Sequence, residues 1–315
     1  MNEFLSLPLD ASSNGFLVDE MIILLHWLVA FLFVVWGVYF VYVLFRFRAS
    51  SNPKADYVGV KTHASSYLEI AVALIEGVLL VGFAIPVWSG VVSAFPDEKD
   101  AVVVHVVGEQ FAWNVHYPGA DGKFGRRDIA LITAENPLGL DRDDQDGKDD
   151  ITTINQLSLP VDRDILVYLT SKDVIHSFGI PLLRVKQDVI PGQRIPVWFR
   201  ATMTNDQVRE RLVHRVPLPI GSPPPPMLLT MLSADNYVDA DGAVILSKGD
   251  PITEEAVAQL TAAGTNEILA TADTPMEIAC AQLCGLGHYR MRGTVTILSP
   301  DAYQAWLDEE ASYLE

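Results

Sequence analysis

The apolar positions of this chain follow two different rhythms. Met21 to Phe45, MIILLHWLVAFLFVVWGVYFVYVLF, is 25 residues without a formal charge. At roughly 1.5 Å per residue it can cross a hydrocarbon core of about 30 Å with some tilt. A second apolar run extends from about Leu68 to Val92 and contains Glu69, Glu76 and Pro86. Proline is tolerated in membrane helices more than in soluble ones. A cleavable signal peptide would begin with basic residues and have a shorter apolar core. Here Glu3, Asp10, Asp19 and Glu20 precede the first run, with no Lys or Arg. Segment 1–95 therefore predicts two transmembrane helices, at about 21–45 and 68–92, in contact with a lipid bilayer. The intervening loop carries Arg46, Arg48, Lys54 and Lys61. The positive-inside rule assigns that loop to the cytoplasmic or matrix side, so both termini face outward.

After Pro96 the period shortens. AVVVHVVGEQ, FAWNVHY, INQLSLP, DILVYLT, RIPVWFR and GTVTILS are each about strand length and rich in β-branched and aromatic residues. Gly, Pro and Asp clusters separate them, which predicts an antiparallel sandwich or barrel over 96–201 and 274–299. Residues 202–273 interrupt that rhythm and predict an inserted α/β subdomain. Its GSPPPP (Gly221 to Pro226) is a stiff extended linker. A strand pair and a helix follow, with Thr253 as cap, Glu254 and Glu255 in the first turn, and Gly264 as terminator. Segment 300–315 predicts a short amphipathic helix.

Charge sharpens this division. Half of the 315 residues are apolar, yet the net charge is −18. An acidic surface excludes nucleic acid, whose phosphates need Lys and Arg, and suits a basic partner. LDRDDQDGKDD, Leu140 to Asp150, is dense in aspartate. Its spacing is out of register with a calcium loop, so a solvated acidic loop is expected. A carboxylate inside an apolar span is expensive; Glu69 and Glu76 are functional candidates or groups that face a partner subunit or reach the interface.

The chemistry concentrates in CAQLCGLGHYRM, Cys280 to Met291, which holds the only two cysteines. Gly285 and Gly287 disfavour a regular helix, so this is a loop able to fold closely around something small. Two thiols, the His288 imidazole and the Met291 thioether form a soft donor set that selects copper over calcium or magnesium. Zinc would accept Cys and His, but Met is a poor zinc ligand. A mononuclear blue-copper site uses one Cys and two His. Two bridging thiolates could hold two copper ions, given a second His from elsewhere. His176, in SKDVIHSFGIP, suits that role at the end of a strand and before a turn. The alternative is a Cys280–Cys284 disulfide. The spacing does not fit c-type haem attachment.

The sequence resembles subunit II of the haem-copper cytochrome c oxidases. The family motif C-x-E/Q-x-C-x3-H-x2-M is matched by Cys280, Gln282, Cys284, His288 and Met291, with His176 upstream. The resemblance implies a membrane α-helical hairpin plus an all-β Greek-key cupredoxin-like barrel carrying the dinuclear copper A centre. It implies that Cys280 and Cys284 bridge both coppers and that His176 and His288 bind one each. Met291 and the backbone carbonyl of Gln282 would be axial ligands. Gln282 stands where many members carry a Glu that binds magnesium at the subunit interface, which leaves magnesium open. VKQDVIPGQ, Val185 to Gln193, resembles the stretch near the catalytic subunit and includes Asp188. Glu69 aligns with the family's proton-uptake glutamate.

The family's aromatic run begins with Trp. Here GEQFAWNVHYP puts Phe111 first and Trp113 two later, making both candidates for electron input. The implied partners are subunit I, other oxidase subunits, and a cytochrome c or membrane-bound cytochrome c-type donor, including one held in a supercomplex. The implied activity is acceptance of electrons for haem in subunit I, where oxygen is reduced and protons are pumped; the chain is not catalytic alone. The implied location is a bacterial-type plasma membrane or mitochondrial inner membrane, with the copper domain outside. Two alternatives share part of the pattern: a copper A subunit of a nitric oxide reductase-like complex, and a metal-free quinol oxidase subunit II, which would lack the ligands.

Overall fold

The computed structural model describes residues 5–54, 57–59, 61–93, 95–219 and 222–314. The chain divides into two compact units: Met1–Leu7 with Gly15–Phe95, and Pro8–Asn14 with Pro96–Glu315.

The first unit is helical. Helix α1, Gly15–Arg46, begins six residues before the expected span. Phe16 and Leu17 prolong the apolar pattern. Helix α2, Ala64–Leu79, runs through a π turn, Leu80–Ala84, into α3, Ile85–Ser93. Pro86 explains the irregularity. It has no N–H for the Gly82 carbonyl and its ring crowds that oxygen, and the wider turn absorbs the misfit. Both helices are long and apolar enough to cross a membrane.

The second unit is built on two five-stranded sheets. The first contains β1 (Val102–Glu109), β2 (Ala112–Tyr117), β3 (Ile151–Ile154), β5 (Ile165–Ser171) and β8 (Ile195–Phe199), in the order β3-β2-β1-β5-β8. The second contains β4 (Gln156–Pro160), β6 (His176–Ile180), β7 (Val185–Val189), β14 (Glu277–Cys280) and β15 (Arg292–Leu298), in the order β4-β15-β14-β6-β7. This is the cupredoxin-like arrangement, with one departure from the antiparallel expectation: β1 pairs with β5, and β15 with β4, in parallel. A parallel pair needs a crossover, and the chain makes it by changing sheets. Asn155 alone separates β3 from β4, at φ 58°, a conformation that Asn tolerates better than most residues. Its Oδ1 accepts the Trp113 N–H at 2.8 Å, which ties the corner to β2.

Trp113, Tyr117, Leu157, Leu159, Phe178 and Phe199 fill the shared core. Helix α6, Pro300–Ser312, starts at the Ser299 cap, and its Trp306 packs edge-on against Tyr117. Residues 8–14 belong to this unit too: Ala11 donates to Leu182 O, and Arg184 reaches Pro8 O and Leu9 O.

The expected insert has a core of its own. Strands β9 (His214–Pro217), β10 (Met231–Ser233) and β13 (Glu267–Ala272) form one sheet, and β11 (Tyr237–Val238) pairs with β12 (Val244–Leu246). Helix α5, Glu254–Ala262, is capped by Thr253. Leu218, Leu228, Leu246, Ile252, Val257, Leu260 and Ile268 pack together there. Helix α4, Asn205–Arg211, falls inside the expected 202–273 but packs on the main core. Val208 belongs to that core, and Asn205 bonds to Val295 O and Ile297 N. Gly221, which opens GSPPPP, lies outside the described residues.

The aspartate-rich loop is not simply solvated. Asp150 is fully buried: it binds the His116 ring at 2.6 Å and accepts from Gly125 N at 2.8 Å and Gly119 N at 3.2 Å. Asp141 pairs with Arg126 and is held below the usual carboxylate range, first by that hydrogen bond. The N–H groups of the neighbouring segment 119–126 take up most of these carboxylates, because covered backbone N–H groups need acceptors.

Candidate metal centre

The cluster forms where β6 and β14 run side by side. Cys280 lies opposite Phe178, which brings His176 and Cys280 together across 104 positions. His176 opens β6; it does not end a strand, as its sequence context suggested. All five residues of β6 are buried, so it shows no alternation to read. The loop after β14 closes through Cys280 N–H to Met291 O at 3.2 Å, and Ala281 N–H donates to Ser177 O at 2.9 Å.

The two thiols are free, with Sγ atoms 3.8 Å apart; they form no disulfide. Each has its own imidazole. His176 Nδ1 is 4.0 Å from Cys280 Sγ, and His288 Nδ1 is 3.6 Å from Cys284 Sγ. Met291 Sδ lies 3.8 Å from Cys284 Sγ, and the Gln282 carbonyl 3.2 Å from Cys280 Sγ. His176, Cys280 and Cys284 form a group able to hold a metal ion, the one such group among the described residues. Burial, and then the neighbouring Cys280, push the Cys284 thiol up to about 11. A bound cation would stabilise the thiolate instead.

Two supporting residues were not singled out from the sequence. Asp173 Oδ1 is 2.9 Å from His176 Nε2, which leaves Nδ1 facing Cys280. Asp173 Oδ2 accepts the Gln110 backbone N–H at 2.7 Å. Burial alone would raise the Asp173 pKa, but the N–H of Gln110, then His176 and Val174, hold it low. The Gln110 side chain donates to Cys284 O at 2.6 Å across 174 positions. The turn between β1 and β2 thus grips the His-bearing and the Cys-bearing segments at once. Asp173 could have been suspected three residues before His176; nothing local marks Gln110. Outer hydrogen bonds of this kind orient ligands and typically change metal affinity ten- to a hundredfold. Gln110→Leu is expected to weaken metal retention by about that factor in a chelator competition, with the β-sheet circular dichroism unchanged.

Phe111 lies on the loop. A Cβ at Gly287 would fall 2.4 Å from its Cδ2, and Gly285 has φ +130°, so both glycines permit this contact. Trp113 is fully buried, edge-on to His176 with centroids 6.0 Å apart. Asp188 is exposed on β7, opposite Ser177. Glu69 and Glu76 are exposed on α2, in the helical unit.

Residues 102–207 match the family model described as cytochrome c oxidase subunit II, periplasmic domain. That match ends before Cys280, with the inserted segment between. The chain is 26% identical over 304 residues to the alternative cytochrome c oxidase subunit 2 of Bradyrhizobium diazoefficiens, covering 96% of this chain and 83% of that protein. It is 29% identical over 196 residues to cytochrome c oxidase subunit 2 of Cereibacter sphaeroides, covering 56% of this chain and 62% of that one. The crystal structure of the periplasmic domain of subunit II of cytochrome oxidase of Bradyrhizobium japonicum superposes with a TM-score of 0.36 at 18% identity, covering 70% of this chain and all of that one. Over residues 102–207 the chain is therefore similar to the cytochrome c oxidase subunit II periplasmic domain, and over nearly its whole length to an alternative cytochrome c oxidase subunit 2.

Proposed function

We propose that the chain is the electron-accepting subunit of a haem-copper cytochrome c oxidase and holds a dinuclear copper A centre. His176, Cys280, the Gln282 carbonyl, Cys284, His288 and Met291 would be its ligands. The observation that carries this reading is the pairing at the cluster: adjacent thiols, each with its own imidazole from opposite ends. Such a donor set fits a pair of soft ions better than one tetrahedral ion. When bound, copper would supply reversible one-electron chemistry.

The chain's residues supply the rest. Asp173 fixes the His176 tautomer, and Gln110 and Phe111 hold the Cys loop. The full burial of His176 and near-full burial of Met291 keep water from that side. Ligands held this firmly rearrange little between redox states. Phe111 and Trp113, packed on the loop and on His176, are the proposed electron-input residues.

As subunit II the chain assembles with other oxidase subunits. Haem in subunit I is the proposed acceptor, and oxygen reduction and proton pumping belong there. Asp188 is proposed to face subunit I, and Glu69 to serve proton uptake. The net charge of −18 favours a basic cytochrome c-type donor with salt-dependent association. The basic loop between the helices supports an outward-facing copper domain in a bacterial-type plasma membrane or a mitochondrial inner membrane. Residues 96–201 with 274–299 are the proposed copper domain, 202–273 the insert and 300–315 the C-terminal helix.

The test is purification of the complex. Copper in excess of one ion per chain, mixed-valence thiolate absorption and salt-sensitive oxidation of reduced cytochrome c are expected. A copper-free complex that oxidises quinol would overturn the reading, as would co-purification with haem subunits that reduce nitric oxide and not oxygen.

A further inference from the structure

The outer face of the first sheet carries a groove unrelated to the metal ligands. His105 on β1, Tyr168, Leu169 and Thr170 on β5, and Gln193 and Arg194 before β8 line a cavity of about 240 Å³ that Arg127 closes. A second cavity of about 350 Å³ shares Val107, Arg127 and Thr170 with the first. Ile129, Ile132, Pro137 and Leu138 line it, together with Asp128, Ser171 and Lys172, and Lys172 is paired with Glu109. The two make one groove, cationic at one end and aliphatic at the other.

The cationic end stands out on a chain of net charge −18. Among the described residues Arg127 makes no salt bridge, and the buried Asp150 acts on it only through space, as the third and smallest influence after burial and Arg194. Arg194 lies over the Tyr168 ring, 3.5 Å from its centroid, with Nη2 3.5 Å from His105 Nε2. Its nearest acid, Glu98, is 3.7 Å away, solvent-exposed and already hydrogen-bonded by the Tyr168 hydroxyl. His105 stacks on Phe124, and its buried Nδ1 has no partner. Burial first, then Arg127, His116 and Arg194, push the His105 pKa down to about 3, so its ring is neutral at this end of the groove. At the other end Ile129 is 86% exposed, and Leu131 and Ile132 are 40% exposed each. Exposed aliphatic side chains beside a cavity are the usual wall of a small-molecule site, with a few charged groups fixing orientation.

We infer that this groove binds a small amphipathic carboxylate, its head between Arg127 and Arg194 and its hydrocarbon body along Ile129, Ile132 and Leu138. Guanidinium recognises a carboxylate through paired N–H donors. Inorganic phosphate alone would leave the aliphatic wall wet, and an uncharged alcohol would leave the Arg127 guanidinium without an ion-pair partner.

Equilibrium dialysis of the purified oxidase complex against radiolabelled octanoate tests this site. Saturable binding is expected, at least about tenfold weaker in Arg127→Gln and in Arg194→Gln, the loss typical of a charge-assisted hydrogen bond. Ile132→Asp should weaken it as well, through the body and not the head. The visible spectrum of each variant should match the parent, which shows the domain is folded. The inference is overturned by an absence of saturable octanoate binding. It is equally overturned if the Arg127→Gln/Arg194→Gln double variant binds like the parent, or if octanol or inorganic phosphate competes as well as octanoate. Arginine-dependent binding to anionic phospholipid vesicles without octanoate binding would also overturn it, by assigning the face to a bilayer.

Discussion

Serine at position 280 or 284 is expected to abolish the dinuclear copper signature. In the proposed centre each cysteine would supply a soft thiolate, and the two Sγ atoms are 3.8 Å apart with an imidazole beside each. A serine hydroxyl is harder and remains protonated at neutral pH, so it cannot bridge soft ions. The two variants separate loss of metal from loss of fold. Cys284 is buried, and a hydroxyl in its place costs on the order of 1–3 kcal/mol. Cys280 is half-buried, so Cys280→Ser should keep the domain's melting temperature while losing mixed-valence absorption and cytochrome c oxidation. If both variants keep the parent spectrum and full turnover, the ligand assignment is wrong.

Asp150→Ala is expected to cost about 3–5 kcal/mol of domain stability, the range for breaking a buried pair by removing one partner. Asp150 and His116 are both fully buried, 2.6 Å apart. Alanine would leave the His116 ring and the N–H groups of Gly119 and Gly125 without their acceptor. Each unmade buried bond carries its own desolvation cost. Asp150→Asn keeps one acceptor oxygen and should lose less. Urea denaturation of the domain measures both. A loss in Asp150→Ala below about 1 kcal/mol, the level of an exposed pair, would show that the loop tolerates an open end. Asp149, one residue away, is only half-buried and accepts a single N–H, from Asp121 at 3.1 Å, so it would be a poor proxy for this effect.

Several elements were legible because their signal is local. The charge-free run from Met21 appears as α1, and the helix after Thr253 has the cap read from the sequence. The strands of AVVVHVVGEQ and GTVTILS appear as β1 and β15. Strands β6 and β14 were not legible. HSFGI is buried on both faces, so no period distinguishes it from other apolar turns. The parallel pairs were also invisible, because a crossover is a relation between distant segments.

The candidate site divides in the same way. Cys280, Gln282, Cys284, His288 and Met291 lie within one twelve-residue stretch, where spacing and donor softness are sequence properties. Residue types alone thus determined the two membrane-length helices, the β-rich character of the remainder and the soft donor set of the loop. Tertiary structure decided that His176 stands beside Cys280 and that Gln110 grips Cys284. It also turned Asp150 inward and set Arg127 beside Arg194. Each of these depends on which strands become neighbours and which loops they cover, and that is fixed by burial of the whole core.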